Sequence, residues 1–114
     1  MIEIRKSENC GYRVFELRGE VSDPKALQKI EKAIVQEINA GRDPIAIDLH
    51  MCDYVNSGLI GFFLGWKKKQ DERNLQFCLI EPNAKAMEVM RLCGIPDVIR
   101  IYRDEVDLQR NAKS

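Results

Sequence analysis

The feature that most constrains the fold is the segment Ile45–Trp66, IAIDLHMCDYVNSGLIGFFLGW. It begins with a nearly continuous apolar run, 45–49, a pattern typical of a strand that is buried on both faces of a parallel sheet. A short loop follows, and Asn56-Ser57-Gly58 then starts a helix, because Asn is among the best N-capping residues. This junction presents free backbone N–H groups at a helix N-terminus. Such a site suits a phosphate, another anion or the surface of a partner protein.

Strand and helix patterns alternate along the rest of the chain. Tyr12 to Leu17 alternates as a half-buried strand does, and the apolar residues of 27–38 recur at helical spacing. Strands that alternate with helices imply a mixed sheet with parallel strands. We therefore predict an α/β fold in a single domain, residues 1–114, with about five strands and about four helices packed against the sheet. The predicted strands are 2–9, 12–17, 44–49, 75–80 and 98–101, and the predicted helices begin at Ser22-Asp23-Pro24, Ser57, Glu81-Pro82-Asn83 and Asp104-Glu105.

Several local details are predicted from single residues. Asn9-Cys10-Gly11 is expected to be a turn between the first two strands. Gly41 is expected to end the first helix in the left-handed conformation, and Gly94 to cap the third. Segments 44–49 and 75–80 are expected to be adjacent central strands, because both are almost entirely apolar. On the third helix we expect three side chains to face inward: Met87, Met90 and Cys93.

Composition and charge exclude several classes of protein. Lys plus Arg and Asp plus Glu both number 18, and this balance argues against a nucleic-acid binder. The N-terminus carries charges where a signal peptide needs an apolar core. The longest charge-free stretch, 54–66, is shorter than the ~20 residues that span a bilayer. We expect a cytoplasmic protein without membrane insertion. Its four cysteines lack a C-x-x-C pair and are expected to be buried thiols in a reducing compartment: Cys10, Cys52, Cys78 and Cys93.

Three segments carry a resemblance to a known family. They are FELRGEV at 15–21, IDLHMCDYVNSGLIGF at 47–62 and LCGIPDVIRIY at 92–102. The chain resembles the STAS domain, the fold of bacterial anti-sigma factor antagonists. The central block is the most specific part, since the family typically has an apolar-Asp-Leu strand, a short loop and Asp-Ser-Ser/Thr-Gly-Leu at the helix start. The resemblance implies the STAS fold over nearly the whole chain.

The resemblance also implies a function. Family members bind an anti-sigma factor that is also a serine kinase, and phosphorylation of the first serine of the motif breaks the complex in partner switching. By position, Asn56 stands at that serine, Val55 at the preceding aspartate and Ser57 at the second serine or threonine. Asn56 has no hydroxyl group to phosphorylate. It is therefore interpreted both as a helix N-cap and as a lock in the neutral, binding-competent state, and Ser57 is the possible phosphoacceptor.

The expected contact surface is the loop 50–56 with the first part of the following helix. Phe62 or Trp66 is the candidate for an exposed contact on that helix, whereas Phe63 is expected to be internal. Gly58, Gly61 and Gly65 share one helix face, which is expected to pack tightly on the sheet. The predicted partner-binding residues are Cys52, Asp53, Tyr54, Val55, Asn56, Ser57, Gly58 and Phe62.

Catalytic and metal sites find little support in the sequence. Asp48, His50 and Cys52 alternate, but a closed zinc site normally has four ligands and the chain has a single histidine. No third group is evident that would orient His50 toward a Cys52 nucleophile. We therefore predict no enzymatic activity, no metal and no cofactor. The leading hypothesis is a transcription-regulating module that binds an anti-sigma factor or related kinase-fold protein. The alternative is a STAS adaptor without phospho-control in a lipid-transport or stress-signalling assembly. The oligomeric state stays open.

Overall fold

In the computed structural model, which describes residues 2–21 and 23–111, helices and strands alternate as the sequence predicts. The sheet has six strands in the order β1-β2-β3-β5-β6, and the short β4 pairs with β2 off this path. The strands are β1 Glu3–Asn9, β2 Tyr12–Glu20, β3 Ile45–Asp48, β4 Cys52–Tyr54, β5 Phe77–Ile80 and β6 Arg100–Tyr102. The helices are α1 Pro24–Ala40, α2 Ser57–Glu72, α3 Ala84–Leu92 and α4 Glu105–Asn111, with a 3₁₀ turn at Ile95–Asp97.

The sheet is mixed, as predicted. β1 is antiparallel to β2, whereas β2, β3, β5 and β6 run parallel. β1 and β2 are joined by a two-residue turn in which Cys10 and Gly11 both have positive φ, 45° and 88°. That conformation matches the twist of a hairpin. β3 and β5 are adjacent and every one of their residues is buried, so the prediction of two central strands is confirmed.

Two apolar layers lie on opposite faces of the sheet. On the first face, α1, α2 and α3 pack over the strands through residues such as Ile34, Phe63 and Met90. On the second face, a smaller cluster includes Leu108 of α4. The other members of that cluster are Tyr12, Val14, Ala46, Cys78, Ile80 and Tyr102. Alternate residues of one strand point to opposite faces, which is why β3 and β5 supply both layers.

The starts of the helices follow local capping rules. The side chains of Asp23, Asn56 and Asn83 accept hydrogen bonds from the backbone N–H of Ala26, Leu59 and Ala86. Ser22, the first residue of the predicted start of α1, lies outside the described residues, as do residues 112–114 of the polar tail.

Three local predictions were wrong. Gly41 ends α1 with extended backbone at φ −112°, its N–H bonded to the carbonyl of Glu37, and its own carbonyl accepts a hydrogen bond from Arg73. Two of the cysteines expected to be buried are exposed: Cys10 lies in the turn between β1 and β2, and Cys93 follows the last turn of α3, where Ala86 is buried instead. The last strand begins at Arg100, not at 98, because the backbone N–H groups of Val98 and Ile99 both bond to Ile95 in the 3₁₀ turn. The left-handed conformation of Gly94, φ 73°, is confirmed.

Among the residues that the structure describes, no helix combines the length and apolar character that crossing a membrane would require.

Candidate partner-binding site

The amide of Asn56 joins two parts of the chain at the start of α2. Its Oδ1 accepts a hydrogen bond from the backbone N–H of Leu59 at 2.9 Å, which is the N-cap interaction. Its Nδ2 donates to the carbonyl oxygen of Val21 at 2.9 Å, in the segment that follows β2. The first bond was predicted from the sequence, whereas the second depends on the tertiary fold. The side chain is thus fixed at both ends.

The loop before Asn56 contains a short strand that sequence analysis missed. Cys52–Tyr54 forms β4 and pairs in parallel with Gly19 and Glu20 of β2. Asp53 and Tyr54 are both exposed, Tyr54 by 52%.

The buried residues of this loop require a correction. The prediction placed the side chains of Cys52 and Val55 in the contact surface, but they are 1% and 2% exposed. They lie in the apolar layer beneath α2 and α3, so very little of either side chain is open to a partner. The exposed side chains of this region are those of His50, Met51, Asp53, Tyr54 and Ser57. Met51, at 44% exposed, lies in the predicted loop 50–56 but was not among the named partner-binding residues.

The aromatic residues of α2 also depart from the prediction. Trp66 is 1% exposed and contacts Phe63 and Phe77, so it is a core residue and was wrongly considered for an exposed contact. Phe63 is fully buried, as predicted. Phe62 is half-buried and stacks on Trp66, with 5.6 Å between the ring centroids. Part of its surface therefore stays accessible beside the loop.

The glycine face of α2 does not pack tightly along its length. A Cβ atom at Gly58 would lie 3.0 Å from Cδ1 of Leu27, so a close approach to α1 explains this glycine. At Gly61 and Gly65, no described atom lies within 4 Å of the Cβ position. The prediction of tight packing is wrong for these two residues, which are exposed.

A groove of about 240 Å³ lies between the loop and α3. Nδ2 of Asn83 is 3.4 Å from the carbonyl oxygens of both Cys52 and Asp53, which holds the loop against the start of α3. The groove is lined by Asp53, Tyr54, Val55, Lys85, Ala86, Glu88 and Val89. The α3 residues were missed because nothing in the local sequence shows that this helix lies beside the loop.

A charged network lies where β2 and β3 end. Asp48 is 2% exposed, and its Oδ1 is 2.7 Å from Nδ1 of His50. Nε2 of His50 is 3.8 Å from Oε2 of Glu16, and the other oxygen of Glu16 accepts a hydrogen bond from Arg18. The hydrogen bond to Asp48 raises the pKa of His50, although burial opposes this effect.

This network differs from the catalytic or metal arrangement considered in the sequence. One donor atom each from Glu16, Asp48 and His50 lies within 4.8 Å of the others. These groups nevertheless pair with one another and with Arg18. Cys52 points elsewhere, since its Sγ donates to the carbonyl of Tyr54. Burial also raises the pKa of the Cys52 thiol, which disfavours the thiolate that a nucleophile requires.

Comparison with known families identifies the fold. The family model for the STAS domain matches residues 1–108. The chain belongs to the STAS domain family. The search of curated proteins gave no match. The STAS assignment predicted from the three sequence segments is thus confirmed.

Several solved anti-sigma factor antagonists share this architecture. An anti-sigma factor antagonist assigned in Thermotoga maritima superposes with a TM-score of 0.88 at 17% identity, over 97% of this chain and 95% of that chain. The anti-sigma factor antagonist SpoIIAA, solved unphosphorylated, gives 0.79 at 17% identity over 98% of each chain. SpoIIAA from Bacillus in its phosphorylated form gives 0.71 at 19% identity, over 96% of this chain and 98% of that chain. At these identities the likeness establishes the fold.

Proposed function

We propose that this STAS domain is a protein-binding regulator of the anti-sigma factor antagonist type. It binds an anti-sigma factor or a related kinase-fold protein in the cytoplasm and regulates transcription through partner switching. The contact surface consists of Met51, Asp53, Tyr54 and Ser57, together with the adjoining groove on α3. We call this set the switch surface. Its exposed aromatic and apolar groups beside charged residues are typical of protein interfaces.

The STAS family match over residues 1–108 and the exposed loop before α2 support this proposal, and Asn56 bears on how the site is regulated. It occupies the position at which the family resemblance implies a phosphorylated serine, and both ends of its amide are hydrogen-bonded. A phosphoserine would bring about 1.5 to 2 negative charges to a surface matched to a partner. Asn56 is neutral and has no hydroxyl group. The switch surface therefore stays in the binding state whatever the kinase activity.

Ser57 is the remaining acceptor in the switch surface. It is exposed and is the first residue of α2, where the helix dipole favours a phosphate. Phosphorylation at this residue would add charge one residue beyond the family's position. We expect the family's kinase to leave Ser57 largely unmodified, because the acceptor is out of register with the motif.

Measurements of partner binding test the switch surface. A partner captured by pull-down and identified by mass spectrometry is purified and titrated calorimetrically against wild type, Asp53→Arg and Ser57→Asp. We expect each variant to weaken binding tenfold or more, about 1.4 kcal/mol. Glu72→Arg, a charge reversal at the far end of α2, is the matched control and should bind as wild type does. Unchanged affinity in both switch-surface variants would show that the contact lies elsewhere.

Phosphorylation by the cognate kinase tests whether Asn56 keeps the switch surface in the binding state. Wild type and Asn56→Ser are incubated with the cognate kinase and ATP, and phosphosites are read by mass spectrometry. We expect phosphate at position 56 of the variant and little or none on wild type. Stoichiometric phosphate on wild-type Ser57, accompanied by loss of binding, would contradict the assignment of Asn56 as a lock.

Asn56 favours a second function, that of a STAS adaptor without phospho-control in a lipid-transport or stress-signalling assembly. An adaptor needs a constant surface, which an amide anchored at both ends provides. Identification of the captured partner separates the two functions, since a kinase-fold protein supports the first and a component of a transport complex supports the second.

A further inference from the structure

The second face of the sheet contains a depression beside the starts of β5 and β6. Ala46, Cys78 and Arg100 are register partners in β3, β5 and β6, so their side chains form one row across that face. Ala46 and Cys78 are small, whereas Tyr12 and Tyr102, in the rows before and after this one, are large. A cavity of about 480 Å³ lies over this part of the sheet, and we call it the second-face cavity. Its volume is within the range of ~300 to 1,000 Å³ that is typical of small-molecule sites.

The border of the second-face cavity is polar and positively charged. Among the described residues, its polar side chains are those of Tyr12, Lys67, Gln76, Arg100, Tyr102 and Asn111, and none of the bordering residues is an aspartate or a glutamate. Burial raises the pKa of the Cys78 thiol to about 12, so this bordering group is neutral as well. The two charges at the border, those of Lys67 and Arg100, are both positive. The cavity therefore suits an anion rather than a cation.

Arg100 provides a positive group that the described structure does not neutralise. It is exposed, and its side chain forms neither an ion pair nor a hydrogen bond with residues 2–21 and 23–111. Its guanidinium carbon lies 5.6 Å from the centroid of the Tyr102 ring, a cation–π contact that orients the planar group. Lys67, in contrast, pairs with Asp71. A guanidinium group whose N–H donors are available matches the two oxygen atoms of a carboxylate or phosphate.

Two buried hydroxyl groups at the second-face cavity also lack hydrogen-bond partners in the described part of the chain. Tyr12 and Tyr102 both border the cavity and are only 6% and 7% exposed, and neither hydroxyl is bonded to a described residue. Buried polar groups normally have partners, so two such hydroxyls at one cavity point to a ligand. Burial raises the pKa of Tyr12 to about 12, so its hydroxyl stays protonated and can donate a hydrogen bond to an anion.

We propose that the second-face cavity binds a small organic anion through a carboxylate or phosphate group. The oxyanion pairs with the guanidinium group of Arg100 and accepts hydrogen bonds from the hydroxyl groups of Tyr12 and Tyr102. The starts of β5 and β6 lie at the end of the parallel strands opposite to the end from which the switch-surface loop leaves β3. Anion binding is therefore separate from partner binding and does not depend on the proposed function.

NMR titration of the full chain with three small probes tests this site. Phenyl phosphate carries a phosphate group, benzoate carries a carboxylate, and benzamide is the neutral counterpart. We expect the backbone amide signals of Cys78 and Arg100 to shift saturably with at least one of the two anions, with a Kd of about 1 mM or tighter, and not with benzamide. The signal of Phe63, in α2 on the first face, should not move. Tighter binding of phenyl phosphate would assign the ligand to phosphate esters, and tighter binding of benzoate would assign it to carboxylates.

Substitutions at the cavity identify the groups that hold the anion. Arg100→Gln removes an exposed charge, and we expect it to weaken binding about tenfold or more, because charge-assisted hydrogen bonds are lost. Tyr12→Phe and Tyr102→Phe, combined in one chain, remove only hydroxyl groups and should weaken binding about threefold or more. Arg91→Gln, exposed on α3 over the first face, is the matched control and should bind as wild type does.

Three results would overturn the anion site. They are the absence of saturable shifts with both anions, equal binding of benzamide, and wild-type affinity in Arg100→Gln. Wild-type affinity in the double tyrosine variant would overturn the part assigned to the two hydroxyl groups. The amide spectrum of each variant shows in the same experiment whether the chain is folded.

Discussion

Two substitutions of Asn56 distinguish how much each hydrogen bond of its amide contributes to stability. Asn56→Ala removes the N-cap, at a cost of about 1 kcal/mol. It also leaves the carbonyl of Val21, a fully buried residue, without this donor, at about 1 to 2 kcal/mol. Asn56→Ser retains a capping oxygen but loses the bond to Val21. We therefore expect losses in the free energy of unfolding of about 2 to 3 kcal/mol for Ala and about 1 to 2 kcal/mol for Ser.

Urea denaturation monitored by tryptophan fluorescence measures these losses. The chain has one tryptophan, Trp66, which is buried in α2 and should report unfolding of the main core. Asn83→Ser is the matched control, because Asn83 also caps a helix but its Nδ2 contacts are longer, at 3.4 Å. It should lose about 0.5 kcal/mol or less. If Asn56→Ser were as stable as wild type, the bond to Val21 would contribute nothing to stability. If Asn56→Ala and Asn56→Ser had the same free energy of unfolding, the N-cap would contribute nothing.

Three further predictions concern other parts of the molecule. Gly61→Ala and Gly65→Ala should each stabilise the protein by about 0.5 to 1 kcal/mol in urea denaturation, because the added Cβ meets no described atom, whereas Gly58→Ala should gain less because Leu27 must move. His50 should titrate above pH 6.5 in an NMR titration and at lower pH in Asp48→Asn, because Asp48 is the main cause of its raised pKa; an unshifted midpoint in the variant would exclude that cause. A thiol reagent should modify exposed Cys93 in the native protein but reach Cys52 and Cys78 only on unfolding, since both are buried and the pKa of Cys78 is raised to about 12; mass spectrometry after brief labelling checks this order.

The sequence by itself determined the features that depend on neighbouring residues. The caps at Asp23, Asn56 and Asn83 are bonds to residues three positions ahead, so local chemistry is sufficient to predict them. The continuous apolar character of β3 and β5 requires burial on both faces, which places them at the centre of the sheet. The motif around Asn56 identified the STAS family, and the match over residues 1–108 confirms it.

Other features were decided by the tertiary structure, because they depend on which surfaces meet across long separations in sequence. β4 has three residues and no clear alternation, and it becomes a strand by pairing with the end of β2. The orientation of α2 buries Trp66 and leaves Gly61 open to solvent, although both belong to the same run of apolar and small residues. The hydrogen bond from Asn9 to Glu105 likewise exists because α4 folds back over the second face of the sheet, 96 residues away in the sequence.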